Sequence, residues 1–130
     1  MSVSFTEQAV RERRKTVTRR KGWWEDSRGH RILKPGDRLT LCRKVMGRKP
    51  DEPLERICDV EVVSVRRERL DELLRDIHNS ASRRAYAARE MEREGFAGLD
   101  PSDFIQRFFI DAQRIPVTAE ITRIEWRYLT

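Results

Sequence analysis

The chain has 130 residues and a formal net charge of +6, and hydrophobic and charged residues each make up 38% of it. This length favours a single domain over residues 1–130, and the composition excludes a low-complexity or disordered chain. No apolar run approaches the roughly 18 residues that cross a bilayer, and the N-terminus lacks a signal-peptide pattern, so we expect a cytoplasmic protein without membrane contact.

The excess positive charge is concentrated near the N-terminus. Residues 11–21 read RERRKTVTRRK and contain seven basic side chains and one acidic one. The remaining residues are balanced, with 28 − 7 = 21 basic and 22 − 1 = 21 acidic side chains. A concentrated positive patch attracts phosphate groups, so this distribution favours RNA or a nucleotide-like ligand as partner. A solvated basic segment without any partner is the alternative.

The first predicted element is a short helix. Ser4 and Glu7 have the spacing of a capping box, which predicts a helix from about Phe5 to Arg13. Positive side chains also suit the C-terminal end of a helix, because the helix dipole is negative there. Part of the basic segment is therefore explained without a ligand.

Alternating apolar residues predict three strands. The first follows the Lys-Pro-Gly-Asp turn at residues 34–37, the second covers about Leu54 to Val65, and the third about Val117 to Leu129. In the last two, the apolar positions change parity along the strand, which indicates a bulge or a sharp bend. Bent strands suit a small barrel better than a flat sheet.

Helical spacing appears between the second and third strands. Leucine and isoleucine follow it at residues 70–77, and a second helix is predicted from near Ser80 or Ser82 to Gly95. The apolar positions that indicate this second helix are Ala81, Ala85, Ala88, Met91 and Tyr86.

A third helix is predicted to begin at Pro101, with Asp100 as its cap. The order of elements indicates an α+β fold: a small bent β-barrel flanked by about three to four helices, with a helical insertion at about residues 68–95.

The cysteines and histidines give no sign of a metal site. Cys42 and Cys58 lie in predicted strands and, without a secretory signal, are expected to be reduced core residues. His30 and His78 stand at spacings that match no ligand motif. We therefore expect no metal and no cofactor.

Four short motifs follow one another in an informative order. Arg-Lys-Thr-x-Thr at residues 14–18 precedes the Lys-Pro-Gly-Asp turn, and Gln-Ala-Val at residues 8–10 and Glu-Gly-Phe at residues 94–96 lie on either side. Together they resemble the ASCH domain (activating signal cointegrator homology), a branch of the PUA-like superfamily, over about residues 3–128. The resemblance implies a PUA-like β-barrel flanked by helices, with a basic cleft that binds RNA or nucleosides.

Some small bacterial members of that family are amidohydrolases that act on N(4)-acetylcytidine. The resemblance places their catalytic lysine at Lys15, their threonine at Thr18 and their glutamate at Glu94, with Glu90 and Glu92 as nearby alternatives. A threonine hydroxyl reacts only after a base withdraws its proton, and a lysine acts as that base only where burial or positive charge lowers its pKa. The chain is longer than those enzymes, which leaves its substrate open.

The residues expected to hold the phosphates of a nucleic acid are Arg14, Arg19, Arg20 and Lys21. Trp23 and Trp24 follow directly, and one of them is expected to stack on a base while the other is buried. The first hypothesis is thus a binding module for RNA or a modified pyrimidine nucleotide. The second is an amidohydrolase that deacylates cytosine nucleosides. A domain that binds an acidic protein partner is the third.

Overall fold

The computed structural model describes residues 1–129, and in that range it contains a four-stranded antiparallel sheet curled into half a barrel. The strands are β1 (Val17–Arg20), β2 (Arg38–Cys42), β3 (Arg56–Arg69) and β4 (Glu120–Tyr128), in the spatial order β1-β4-β3-β2. Three α-helices accompany them: α1 (Glu7–Arg11), α2 (Ala81–Glu94) and α3 (Pro101–Ile105). The predicted α+β class is confirmed.

The strand β1 is not among the predicted strands. It has only four residues and ends in two arginines, so it lacks the apolar alternation that identifies a strand. It forms because its whole length pairs with β4, from Val17 opposite Glu125 to Arg20 opposite Thr122. The basic motif therefore lies on an edge strand of the sheet.

The predicted bulge in the second predicted strand is confirmed in β3. The register with β4 shifts between Val62 and Ser64, which leaves Val63 without a partner and 44% exposed. One extra residue bends a strand and increases its twist, which agrees with the curl of the sheet.

The predicted bulge in the last strand is wrong. β4 pairs with β1 in a continuous register. Its apolar positions change parity because both faces of β4 are buried: Ile121 belongs to one hydrophobic cluster, and Ile124 and Trp126 belong to another. A central strand between two cores needs no irregularity to explain such a pattern.

The predicted capping box at the N-terminus is also wrong. Ser4 begins a 3₁₀ turn, Ser4–Thr6, and makes no capping hydrogen bond. Glu7 is the first residue of α1, and its carboxylate accepts from Arg11 at 2.9 Å, one turn along the helix. The carboxylate is thus engaged by a charged side chain instead of a backbone amide.

The ends of α2 are confirmed, whereas only Met91 of its predicted apolar positions is fully buried. The hydroxyl of Ser80 accepts from the amide of Arg83 at 3.2 Å, and Gly95 ends the helix with φ +92°. The buried side chains are Ala87, Glu90, Met91 and Glu94, whereas the alanines at positions 81, 85 and 88 are exposed. The helix presents its two buried glutamates, Glu90 and Glu94, to arginines of the sheet.

The sheet separates two hydrophobic clusters. One lies between the sheet and the helices, around Leu70, Met91 and Phe104, and the other lies inside the half-barrel, around Leu41 and Trp126. The predicted helix at residues 70–77 is a short 3₁₀ helix, Leu70–Leu74, and α3 continues into a π-helical turn, Gln106–Asp111. In residues 1–129, no helix is long and apolar enough to cross a membrane.

The first three residues lie beside the open edge of the half-barrel. The amide of Val3 donates to the carbonyl of Cys42 on β2 at 2.8 Å. From the opposite edge, Arg20 on β1 donates to the carbonyl of Ser2 at 2.7 Å. The N-terminal segment thus connects the two edge strands and lies beside the basic motif.

Candidate functional site

Lys15 is buried at the start of the basic motif, with 2% of its surface exposed. Its ammonium donates to the carbonyl oxygens of Val17 at 2.8 Å and Glu94 at 2.6 Å. It also donates to Oε1 of Glu94 at 3.3 Å. An ammonium group has three N–H donors, so these three contacts use all of them. The contacts stabilise the charged form of Lys15.

The burial of Lys15 opposes these contacts, because it makes the charged form less stable than in water. Burial lowers the pKa of Lys15 to about 8, against the opposing effect of the Glu94 carboxylate, and the charge of Arg20 adds to the lowering. A lysine with this pKa is mostly charged at pH 7 and mostly neutral at pH 9. To accept a proton, Lys15 must first give one up and release one of its three acceptors.

Glu94 links Lys15 to a buried network of charges. Its other oxygen, Oε2, accepts from Nη1 of Arg19 at 2.9 Å. Arg19 also donates from Nη2 to Glu90 at 2.5 Å and from Nε to Glu68 at 3.1 Å. The guanidinium of Arg19 is thus surrounded by three carboxylates, which fix its position on β1.

Glu90 holds Arg19 and a second arginine from the sheet. It accepts from Arg123 on β4 at 2.8 Å and 3.1 Å, and Arg123 lies directly opposite Arg19 in the strand register. Burial acts to raise the pKa of Glu90, but the hydrogen bonds and charges of Arg123 and Arg19 outweigh it and lower the pKa to about 2. Glu90 therefore compensates the charge of two neighbouring buried arginines.

Thr18 is buried on β1, and its hydroxyl oxygen accepts from Nε of Arg20 at 3.0 Å. Because side chains alternate along a strand, Thr18 and Arg20 share the face opposite to that of Arg19. Arg20 reaches the N-terminal segment through its bond to Ser2. Thr18 therefore lies where β1 approaches the N-terminal segment.

These side chains line one cavity of about 460 Å³. Its polar side consists of Lys15, Thr18, Arg19, Arg20 and Glu94, together with Ser2, Ser4 and Thr6 from the N-terminal segment. The rest of the lining is largely aromatic and comes from Phe5, Phe96, Phe104, Phe108 and Phe109, and Arg107 and Gln113 also line the cavity. The structure thus places Lys15, Thr18 and Glu94 around the same space.

Comparison of the chain with protein-family models, with curated proteins and with solved structures finds no match. The resemblance to the ASCH domain thus stays a prediction from the motifs themselves. In residues 1–129, no group of three or more histidine, cysteine, aspartate or glutamate side chains is arranged to hold a metal ion.

Four of the predicted nucleic-acid-binding residues lie outside the cavity. Arg14 is exposed and pairs with Glu12 at 2.7 Å, and Lys21 is exposed at the end of β1. Trp23 packs against the half-barrel core, and the ring of Trp24 lies 3.3 Å from the guanidinium carbon of Arg31. Of the six predicted residues, the structure brings only Arg19 and Arg20 to the cavity.

The Lys-Pro-Gly-Asp turn has a structural position away from the cavity. The carboxylate of Asp37 accepts from the amide of Lys34 at 3.0 Å, and Gly36 adopts φ +96°. The amide of Gly36 donates to the carbonyl of Val62 on β3 at 2.8 Å. This motif therefore links the residues just before β2 to β3 by a hydrogen bond.

Arg123, Phe5 and Arg107 were not predicted as part of the site, and Glu90 was predicted only as an alternative to Glu94. Glu90 and Glu94 form a helical stripe with Ala87 and Met91, and this spacing is a signal that both glutamates are buried. Arg123 follows Ile121 by two positions and so shares its buried face. For Phe5 and Arg107 the sequence contains no comparable signal, since only the fold brings them to the cavity.

Proposed function

We propose that the cavity binds a ligand that carries a nucleobase, either a free nucleoside or nucleotide or one exposed nucleotide of an RNA, in a domain of ASCH-like and PUA-like type. The observation that supports this proposal best is the joint position of Lys15, Thr18 and Glu94. They come from the basic segment, β1 and the end of α2, and all three line the same cavity.

The aromatic part of the cavity lining suits the ring face of a base, and the polar part suits its polar edge. The aromatic side includes Phe5, which is 81% exposed, and Phe108, whose ring centre lies 5.7 Å from that of Phe5. Exposed aromatic rings stack on bases. The polar part of the lining offers hydroxyl, guanidinium and carboxylate groups for the polar edge of the base. A volume of about 460 Å³ lies in the usual range of small-molecule pockets.

The distribution of charge favours one bound nucleotide over a long strand. Arg14 is neutralised by Glu12, and Arg11 is neutralised by Glu7 and Glu55. The exposed part of the basic segment is thus less positive than its sequence suggests. Binding of a long nucleic acid depends on many unneutralised cations along a surface.

Isothermal titration calorimetry tests this proposal with cytidine and with a short single-stranded RNA. We expect Thr18→Val to weaken cytidine binding about three- to tenfold, the value of one hydrogen bond. Thr16→Val is the matched control, since Thr16 lies two positions earlier and does not line the cavity. No binding of cytidine and of RNA by the unchanged protein, or equal losses in both variants, would contradict the proposal.

The second candidate function is hydrolysis of an N(4)-acylated cytosine nucleoside, and the lowered pKa of Lys15 favours it. In this reaction water adds across the bond between the acyl carbon and N4, which releases the free amine and a carboxylic acid. Neutral Lys15 would accept the proton of the Thr18 hydroxyl as that oxygen attacks the acyl carbon. The proton held on Lys15 passes to N4 as the bond between N4 and the acyl carbon breaks, which releases the amine and leaves the acyl group on Thr18. Water then hydrolyses this ester, which releases the carboxylic acid and restores the Thr18 hydroxyl.

This second function has a distinct test. Incubation with N(4)-acetylcytidine should yield cytidine and acetate, and the rate should rise with pH through about 8 as Lys15 loses its proton. Lys15→Met and Thr18→Val should both abolish the product. Unchanged substrate at high protein concentration would exclude the hydrolase, while cytidine binding would still support a binding module.

A further inference from the structure

The cavity has an excess of positive charge. Its lining contains four cationic side chains, which are Lys15, Arg19, Arg20 and Arg107, and a single carboxylate, Glu94. Two of these cations are compensated. Lys15 contacts Glu94, and Arg19 contacts Glu94, Glu90 and Glu68.

The other two cations have no such compensation. Among residues 1–129, no carboxylate lies within 4.0 Å of the guanidinium of Arg20 or Arg107. Arg20 donates to two neutral acceptors, the Thr18 hydroxyl at 3.0 Å and the Ser2 carbonyl at 2.7 Å. Arg107 is exposed and lines the cavity, and its side chain makes no hydrogen bond to any part of the chain that the structure describes.

Arg20 is the more costly of the two to leave uncompensated. Burial lowers the pKa of Arg20, and only the charge of Glu94 opposes that shift. Glu94 already binds Lys15 and Arg19. A guanidinium group that is partly removed from water and bonded only to neutral groups is stabilised by an incoming anion, because charge-assisted hydrogen bonds are stronger than neutral ones.

Arg107 adds a second donor group from a different element. It lies on the π-helical turn Gln106–Asp111, next to Phe108 of the aromatic side. π-helical turns occur frequently at functional sites. Arg20 and Arg107 therefore bring positive charge into one cavity from β1 and from the segment after α3.

We propose that the ligand of this cavity carries a phosphate group, as a nucleoside monophosphate does, and that Arg20 and Arg107 bind this group. The inference rests on the proposed function and deepens it, since it separates nucleotides from uncharged nucleosides. It assigns phosphate binding to a residue outside the basic segment, Arg107, in place of the exposed Arg14 and Lys21.

Isothermal titration calorimetry with cytidine, cytidine 5′-monophosphate and inorganic phosphate tests the inference. We expect the monophosphate to bind about 10- to 100-fold more tightly than cytidine. Arg107→Gln should remove most of that difference between the monophosphate and cytidine. Arg89→Gln is the matched control, because Arg89 is also an exposed helical arginine but does not line the cavity.

The possible outcomes separate the inference from the function on which it rests. Equal affinities for cytidine and its monophosphate would overturn the phosphate site and leave a nucleoside-binding cavity. Equal losses in Arg107→Gln and Arg89→Gln would also overturn it, since the effect would then be the net charge of the whole protein. Inorganic phosphate binding as tightly as the monophosphate would show a site for the free anion instead. Binding of none of the three would overturn the phosphate site, and a lack of binding to the short RNA as well would refute the proposed function.

Discussion

The substitution Glu90→Gln tests whether the buried charge network stabilises the fold. Glu90 is 0% exposed and bonds to Arg19 and Arg123 through its carboxylate. Glutamine has nearly the same shape but no charge, so the variant leaves two opposed buried arginines without their shared counter-ion. Loss of one partner from a buried ion pair costs about 3–5 kcal/mol.

The pKa of Glu90 gives a second, independent magnitude. Its shift from 4.5 to about 2 corresponds to about 3 kcal/mol of folding free energy, at about 1.4 kcal/mol per pKa unit. Because the folded pKa is the lower one, this contribution is complete above the unfolded value and is lost as the pH falls through about 2. The difference between the wild type and Glu90→Gln should be about 3 kcal/mol at pH 7, about 2 at pH 3.5 and about 1 at pH 2.5.

Urea unfolding followed by circular dichroism measures these differences at each pH. With a slope of about 2 kcal/mol per molar urea, the midpoint at pH 7 should fall by about 1.5 M. Glu92→Gln is the control, since Glu92 lies two positions along the same helix and is exposed. A loss that stays constant from pH 7 to pH 2.5, or one no larger than that of the control, would refute the argument from charge.

Three further predictions concern the cavity and its borders. Gly95→Ala should destabilise the protein by about 1–3 kcal/mol in the same assay, because φ is +92° and a Cβ would lie 3.1 Å from the side chains of Thr6 and Ala9. Gly22→Ala is the control and should change the stability little, since the space around Gly22 is open. An NMR titration of the Lys15 ammonium should give a pKa near 8, and Glu94→Gln should lower it further because Glu94 favours the charged form; a value near 10.5 in both proteins would contradict the burial argument. Phe5→Ser should weaken cytidine binding about tenfold through lost stacking, and an unchanged affinity would remove Phe5 from the site.

Features that depend on residues close together in the chain could be predicted from the sequence. Ser80 and Gly95 identify the ends of α2, and Asp100 identifies the start of α3, because caps satisfy local backbone groups. The parity change near Val63 identified the bulge, since side chains alternate with a fixed period of two. The motif at residues 14–18 also identified Lys15 and Thr18 as candidate site residues.

The pairing of the buried arginines with the buried glutamates depends on the tertiary fold. The pairing of β1 with β4 places Arg19 opposite Arg123, and the rotation of α2 turns Glu90 and Glu94 toward them instead of its alanines. Strand register and helix rotation depend on contacts between residues far apart in the chain, and the spacing of residues within one element does not reveal them. For the same reason the sequence predicted phosphate contacts at Arg14, Arg19, Arg20 and Lys21, whereas the fold brings only Arg19 and Arg20 of these to the cavity and adds Arg107, which was not predicted.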